Sequence, residues 1–173
     1  MVAVCAMTGT ASLLLNCKAR TLHSWSGIKL AKGDRGTIIT NILRNRNVKS
    51  TWKACKILIV DEVSMMSLKL FNMLNDIGRA IRGNNMHFGG IQLIFSGDFY
   101  QLPPVGKCDE SAAFCFESEF WDATFNKVIE LKKIFRQEDN IYSSILNEIR
   151  VGDITEPSIN ILIERVGKKY TNE

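Results

Sequence analysis

An α/β fold with a largely parallel sheet flanked by helices is predicted by three features of the sequence. Four short runs rich in Val, Ile and Leu, at residues 2–6, 57–60, 91–95 and 128–131, are apolar almost throughout rather than alternating. That pattern is typical of strands buried on both faces. Segments with helical spacing lie between the runs, and no internal repeat interrupts them. We therefore expect one globular domain, or part of one, built around a parallel sheet.

The clearest predicted helix begins after Ser67, a natural N-cap, and ends near Gly83. Its apolar residues recur at intervals of three and four: Leu68, Phe71, Leu74, Ile77 and Ile81. Further helices are predicted at residues 36–44 and 141–150, and a last one after Pro157. Long loops are expected at residues 97–111 and within the basic stretch 29–56. We assign the apolar stripe of the first helix, like the six methionines, to packing.

Composition argues against several classes of protein. No run of about 18 apolar residues is present, and the first residues do not resemble a signal peptide. We expect a soluble, intracellular protein with no membrane partner. The five cysteines are odd in number, are never spaced as CxxC and have only two histidines as companions. A zinc site or a disulfide framework is therefore not expected.

Positive charge is concentrated in one part of the chain. The net charge is +4, yet eight basic residues fall within residues 29–56, with Asp34 as the only acid there. They are Lys29, Lys32, Arg35, Arg44, Arg46, Lys49, Lys53 and Lys56. The stretch either faces phosphate or forms a solvated helix and loop, and charge alone does not choose between the two.

Polar groups directly follow each predicted strand. They occupy residues 7–12, 61–65, 96–104 and 132–137. Ligands of open parallel sheets bind beyond the carboxyl ends of the strands. These four segments are therefore the candidate functional site.

The second predicted strand runs straight into two acids, Asp61 and Glu62. Motor ATPases use this arrangement to bring one carboxylate to Mg²⁺ and a second one to the attacking water. Asp61 would hold the metal through its water shell, and Glu62 would accept a proton from the water. The alternative is a strand that ends in a solvated turn.

The segment after the third strand, GDFYQLPPV at residues 97–105, is more specific. Gly97 permits a sharp exit from the strand, and Pro103 and Pro104 stiffen the chain. Asp98 and Gln101 would then be displayed in a fixed geometry. The amide of Gln101 can both donate and accept, which suits a sensor of the γ-phosphate. The alternative is a proline-rich surface turn.

These segments, in this order, resemble the Pif-one (petite integration frequency) family of superfamily-one DNA helicases, which is related to RecD. VAVCAMTGTAS and TLHSWSGI are similar to the two DNA-contacting motifs, ILIVDEVSM to the Walker B motif and GDFYQLPPV to motif III. LKKIFRQ and LNEIRVGDI are similar to the motif IV region. Members of this family act in genome maintenance in nuclei, mitochondria, bacteria and large DNA viruses. The resemblance therefore implies a role in DNA repair, recombination or telomere maintenance.

The resemblance implies that residues 1–173 form an incomplete, RecA-like first motor domain (1A) of a P-loop NTPase. Its core, with motifs Ia, Ib, II, III and IV, would span roughly residues 1–150, and residues 151–173 would form a C-terminal helix or linker. ATP and Mg²⁺ would be the cofactors. Asp61 would bind Mg²⁺, Glu62 would act as general base, and Gln101 and Arg136 would contact the γ-phosphate, Arg136 like an arginine finger. The alternative for Arg136 is a surface ion pair with one of the acids that follow it.

Single-stranded DNA is the partner that the resemblance implies. Hydroxyl and backbone amide groups along a track would contact phosphates, and an aromatic ring would stack on a base. The residues of the track are Thr8, Gly9, Thr21, His23 and Ser24, and the candidates for stacking are Trp25 and Phe99. The alternatives are that Trp25 belongs to the core and that His23 caps a turn.

The resemblance also predicts a glycine-rich GxxGxGK[ST] loop upstream of the first DNA-contacting motif, which here begins at residue 2. We expect that loop and the second RecA-like domain to be absent from this chain, so that missing helicase segments or a partner protein would have to supply them. A fragment of a helicase is the favoured interpretation. The alternatives are a non-catalytic module that binds single-stranded nucleic acid or a partner motor, and an AAA+ ATPase, which GDFYQLPPV disfavours.

We predict that the isolated 173-residue chain has no measurable ATPase or unwinding activity, because the loop that cradles the β- and γ-phosphates would be absent. Phosphate release and strand separation are the measurements. Turnover above background that disappears in Glu62→Gln would contradict the prediction.

Overall fold

The computed structural model describes residues 1–28, 34–105 and 113–169. It divides into two compact units, Met1–Val128 and Ile129–Glu173. The expected boundary near residue 150 lies at the end of a helix inside the second unit, and the assignment of the whole chain to one partial domain stays a prediction. No helix within the described ranges is long and apolar enough to span a membrane.

The first unit contains a parallel sheet of four strands in the order β2-β1-β3-β4. The strands are β1 (Val2–Ala6), β2 (Arg20–Thr21), β3 (Ile57–Asp61) and β4 (Gln92–Phe95). Ala6 pairs with both Thr21 and Asp61, and Val60 pairs with Phe95. The carboxyl ends of all four strands therefore meet at one edge. The predicted α/β class and the first three predicted strands are confirmed.

The fourth predicted strand, at residues 128–131, is wrong. Val128, Ile129 and Leu131 are 87%, 71% and 90% exposed, and no strand in the described part of the chain pairs with them. An apolar run forms a strand only where a neighbouring strand supplies hydrogen bonds and packing. The apolar composition of residues 128–131 could not show that no strand among the described residues lies beside them.

Helices connect the strands and continue beyond them. In the first unit they are α1 (Gly9–Leu14), α2 (Leu22–Ser26), α3 (Arg35–Arg44), α4 (Arg46–Ala54), α5 (Leu68–Arg82) and α6 (Trp121–Thr124). In the second unit they are α7 (Asn140–Val151) and α8 (Glu156–Ile163). The helices predicted at residues 36–44, 68–81 and 141–150 and after Pro157 are confirmed.

Helix α5 begins and ends where its sequence indicates. The hydroxyl of Ser67 accepts a hydrogen bond from the amide of Leu70 at 3.2 Å, and Gly83 ends the helix in the left-handed conformation with φ of 64°. The predicted apolar stripe packs into the core of the unit, where Phe71 and Ile77 are fully buried. The assignment of this stripe to packing is therefore correct.

Much of the basic stretch forms helix rather than the expected loop. The side chain of Asn45 accepts hydrogen bonds from the amides of Asn47 and Val48 at 3.1 and 3.2 Å, and so caps α4. Val48 packs against the core, and Trp52, one turn later, is fully buried. This cap and this spacing were the signals that the prediction missed. Lys29 and Lys32 lie outside the described residues, as does the predicted loop 97–111 beyond residue 105.

The side chain of Arg82 links the end of α5 to the rest of the unit by hydrogen bonds. Its guanidinium group donates hydrogen bonds to the carbonyl oxygens of Trp52 and Cys55 at 3.1 and 3.0 Å, and to that of Gly89 at 2.5 Å. A cation at the C-terminus of a helix satisfies carbonyl groups that the helix leaves without partners. Arg82 thereby links α4, α5 and the turn before β4.

Gly78→Ala tests the close packing of α5 on that turn. A Cβ atom at Gly78 would lie 2.5 Å from the carbonyl carbon of Phe88, so one of the two backbones must move. We expect a loss of about 1–3 kcal/mol in the free energy of unfolding, although Ala favours helices. The measurement is urea unfolding. Ala80→Gly, on the exposed face of α5, is the control and should cost about 0.5–1 kcal/mol from helix propensity alone. A Gly78→Ala chain as stable as the wild type would contradict the close approach.

Candidate functional site

A cleft of about 270 Å³ lies at the carboxyl edge of the sheet. Thr8, which follows β1, Glu62, which follows β3, and Gln101, which follows β4, all line it. The remaining lining residues are Thr10, Ala11, Leu14, Met65 and Leu102. The parallel sheet thus brings together three polar groups that are far apart in the sequence, as expected for this class of fold.

The turn that carries Glu62 has an unusual backbone. Glu62 adopts the left-handed conformation, with φ of 59° and ψ of 41°. The amide of the next residue, Val63, donates a hydrogen bond to the carbonyl oxygen of Ser96 at 3.1 Å. A Cβ atom at Gly97 would lie 2.8 Å from the same amide nitrogen. Gly97 therefore permits the sharp exit from β4 that the sequence predicts, and it allows the two turns to meet.

Asp61 is the last residue of β3 and is half-buried beside the cleft. Its carbonyl oxygen accepts a hydrogen bond from the amide of Met7 at 3.2 Å, which continues the sheet to the edge. The described residues contain no group of three or more His, Cys, Asp or Glu side chains that could hold a metal. Mg²⁺ in phosphoryl-transfer sites commonly takes only one or two carboxylates, with waters and phosphates completing its shell. A single Asp at this position fits that donor set.

The side chain of Asp98 orients Gln101. Its carboxylate accepts hydrogen bonds from the Nε2 group of Gln101 and from the amide of Tyr100, both at 3.1 Å. The carbonyl oxygen of Asp98 also accepts from the amide of Gln101 at 2.9 Å. The Nε2 group carries two hydrogens, and the one that Asp98 does not accept can still be donated to another partner. The fixed geometry expected of Asp98 and Gln101 is present.

Two threonines cap the helices that begin at this edge. The hydroxyl of Thr8 accepts from the amide of Ala11 at 3.1 Å, and that of Thr21 accepts from the amide of Ser24 at 3.3 Å. Strands β1 and β2 are neighbours, so α1 and α2 begin side by side. A Cβ atom at Gly9 would meet nothing within 4 Å. The backbone of α1 is therefore open to a ligand at this position.

His23 is half-buried on α2, and Ser24 beside it is exposed. Burial lowers the pKa of His23 below its ordinary value, so the ring is neutral at pH 7. The cap of α2 is Thr21, so the alternative in which His23 caps a turn is not needed. A neutral imidazole can donate one hydrogen bond to a phosphate but contributes no charge.

The two candidates for base stacking differ. Trp25 is 2% exposed, and its ring centroid lies 4.7 Å from that of Trp52. A ring enclosed by the core has no free face, so a stacking role for Trp25 is wrong. Phe99 is half-buried against three other rings, and its role stays a prediction. Its neighbour Tyr100 is 67% exposed, and sequence reasoning did not single it out although it lies between Phe99 and Gln101.

Arg136 lies in the second unit, and its side chain is exposed. Among the described residues it forms no ion pair with Glu138 or Asp139. Asp139 instead caps α7 by accepting hydrogen bonds from the amides of Ile141 and Tyr142. The alternative of a surface ion pair is therefore not observed, and the contact with the γ-phosphate stays a prediction.

Comparisons of the sequence and of the structure with known proteins find members of the same family. A family model described as PIF1-like helicase matches residues 1–159. The chain is 44% identical over 156 residues to the ATP-dependent DNA helicase RRM3 of Saccharomyces cerevisiae. This match covers 89% of this chain and 21% of RRM3. The crystal structure of Pif1 helicase from Candida albicans matches 99% of this chain and 39% of that chain, with a TM-score of 0.89 and 40% identity.

A second solved structure is the Pif1 helicase from Bacteroides in complex with ADP-AlF3 and ssDNA. It matches 99% of this chain and 41% of that chain, with a TM-score of 0.81 and 27% identity. Both superpositions confirm the predicted RecA-like fold class. The chain spans only 16% to 26% of the length of the helicases that it matches in sequence.

Replacing Glu62 tests whether its backbone is held under strain. A residue other than glycine in the left-handed region costs about 1–2 kcal/mol. We expect Glu62→Gly to be more stable than Glu62→Ala by about 1 kcal/mol, because both variants remove the carboxylate and only glycine relieves the strain. Urea unfolding of the two variants measures the difference. Equal stabilities, or a more stable Ala variant, would show that the backbone relaxes without glycine.

Proposed function

The chain belongs to the PIF1-like helicase family, and from this premise we propose that it forms part of the motor of an ATP-dependent DNA helicase. The motor couples ATP hydrolysis to movement along single-stranded DNA and to unwinding of the duplex. The observation that carries the proposal is the cleft in which Thr8, Glu62 and Gln101 meet at the ends of three different strands. Roles in DNA repair, recombination or telomere maintenance, and action inside the nucleus, a mitochondrion or a bacterial or viral host compartment, belong to the same proposal.

Four residues of this chain perform the proposed nucleotide chemistry. Asp61 would hold Mg²⁺, and Glu62 accepts the proton of the attacking water. When bound, Mg²⁺ neutralises the charge that develops on the phosphates. Gln101 contacts the γ-phosphate, and the hydrogen bond from its Nε2 group to Asp98 supports this role because it holds the amide in one orientation. Arg136 stabilises the transferred phosphoryl group like an arginine finger.

The DNA strand follows the paired starts of α1 and α2. A threonine hydroxyl that accepts a cap hydrogen bond keeps its own hydrogen, so Thr8 and Thr21 can still donate to phosphate oxygens. The open backbone at Gly9 and the exposed side chain of Ser24 support the same track. His23 contributes a neutral donor, and Phe99 stacks on a base.

Thr8 connects the two activities. It lines the cleft together with Glu62 and Gln101, and it caps the helix whose first turn meets the DNA. A change in the phosphates at the cleft can therefore act on the start of α1 through Thr8. Coupling of this kind is what a translocating motor requires when it closes on ATP.

A chimeric helicase tests the proposal. In it, this chain replaces the corresponding segment of the Candida albicans Pif1 helicase, a match that extends over 99% of the chain. We expect ATP hydrolysis that single-stranded DNA stimulates. Arg136→Ala should lower kcat by about 10³–10⁵ because an arginine finger is lost, and Glu62→Gln should abolish turnover. The exposed acid Glu119 provides the control, and Glu119→Gln should keep full turnover.

The outcomes separate the two halves of the proposal. A folded chimera that binds DNA without hydrolysing ATP would contradict the nucleotide chemistry and leave a DNA-binding module. If the Arg136→Ala chimera hydrolyses ATP as well as the unchanged chimera, Arg136 does not contact the γ-phosphate. Loss of both DNA binding and hydrolysis in a correctly folded chimera would contradict the function as a whole.

A further inference from the structure

Three cations form a row along one face of α4. Arg46, Lys49 and Lys53 are spaced by three and four residues, which places them on the same side of a helix over a length of about 10 Å. Arg46 and Lys53 are exposed, and Lys49 is half-buried. We call these three residues the basic row. A different face of α4, with Trp52, packs into the core.

Acids within the described ranges do not neutralise the basic row. No carboxylate there forms an ion pair with any of its three members. Two acids on the helices that contact α4 are engaged elsewhere, since Asp76 pairs with Arg35 and Asp34 caps α3 by accepting from the amide of Thr37 at 2.9 Å. The positive charge of the basic row is therefore available to an external anion.

The stability of α4 does not explain Arg46, although Lys53, in the last turn, complements the negative end of the helix dipole. Arg46 is the first residue of the helix, and the first turn contains no acid. The positive end of the helix dipole disfavours a cation at this position. A residue that is unfavourable for the helix it belongs to indicates that the position serves function and not folding.

The helix that carries the basic row packs on a helix of the proposed DNA track. The indole of Trp52 donates to the carbonyl oxygen of Ser26 at 3.1 Å, and its ring lies 4.7 Å from that of Trp25. A Cβ atom at Gly27 would lie 2.8 Å from the side chain of Val48. Helix α4 therefore packs directly on α2, the helix that carries His23 and Ser24.

We propose that the basic row binds the phosphate backbone of single-stranded DNA where the strand passes beyond α2. This inference rests on the proposed function, because the row extends the same track. It adds a charged contact outside the cleft to a track whose other members are uncharged. The contact is electrostatic and reads no base, so it suits a strand that moves past.

The test measures the binding of the full chain to a fluorescent oligothymidylate of about 20 nucleotides by anisotropy over a range of salt concentrations. Each phosphate contact on a single strand contributes about 0.7 to the slope of log K against log salt. The double variant Arg46→Gln/Lys49→Gln should therefore lower the slope by about 1.4. Its Tm should not fall, because Arg46 opposes the helix dipole.

Two further variants serve as controls. Arg46→Lys/Lys49→Arg keeps both charges and should keep the slope. Lys127→Gln removes an exposed charge just after α6. The rings of Trp121 and Phe125 in this region pack on Phe95 of β4, at the edge of the sheet opposite to β2. This variant should also leave the slope unchanged.

Three results would overturn the inference while the proposed function stands: an unchanged slope in the double variant, an equal loss of slope in Lys127→Gln, or weaker binding that accompanies a lower Tm. A wild-type chain that does not bind the oligonucleotide would instead contradict the DNA half of the proposed function, and the basic row with it. A lower slope in the double variant but in neither control, with an unchanged Tm, supports the inference.

Discussion

The candidate site depends on the close approach between the end of β4 and the turn after β3. One hydrogen bond, from the amide of Val63 to the carbonyl oxygen of Ser96, holds the two turns together, and Gly97 leaves room for it. On one side of this contact Glu62 is held in a left-handed conformation, and on the other side the chain continues to Gln101. A side chain at position 97 would separate the proposed general base from the proposed phosphate sensor. The geometry of the site is therefore set by backbone packing more than by the polar residues themselves.

A second set of contacts joins this site to the remainder of the first unit. Trp52 binds α2 through its indole group, and Arg82 binds the carbonyl groups at the end of α4. Helices α2, α4 and α5 consequently support one another, although their sequences are separated by the strands. The proposed DNA track on α2 rests on this support. Side chains that are buried for packing thus position side chains that are exposed for binding.

The proposed DNA interface separates uncharged donors from charged ones. Hydroxyl groups that cap helices, an open glycine backbone and a histidine with a lowered pKa lie in the first turns of α1 and α2. Cations lie farther along, on α4. Uncharged donors can fix the register of a strand, whereas exposed cations supply long-range attraction that weakens as salt rises. A motor that must hold and release its track at each step can use both.

Local patterns in the sequence determined much of this protein. Near-continuous apolar runs indicated β1, β3 and β4, because they mark segments that must be buried. The Ser67 cap with its three-and-four spacing indicated α5, because a helix forms its hydrogen bonds within itself. The polar segments after those strands likewise indicated the edge where the cleft lies. Only the tertiary structure decided that Trp25 is covered by Trp52, that residues 128–131 form no strand, and that Glu62, Gln101 and Thr8 share one cleft. Each of these outcomes depends on a neighbour distant in the sequence, and a local pattern holds no information about which distant residue will cover a ring, pair with a strand or complete a site.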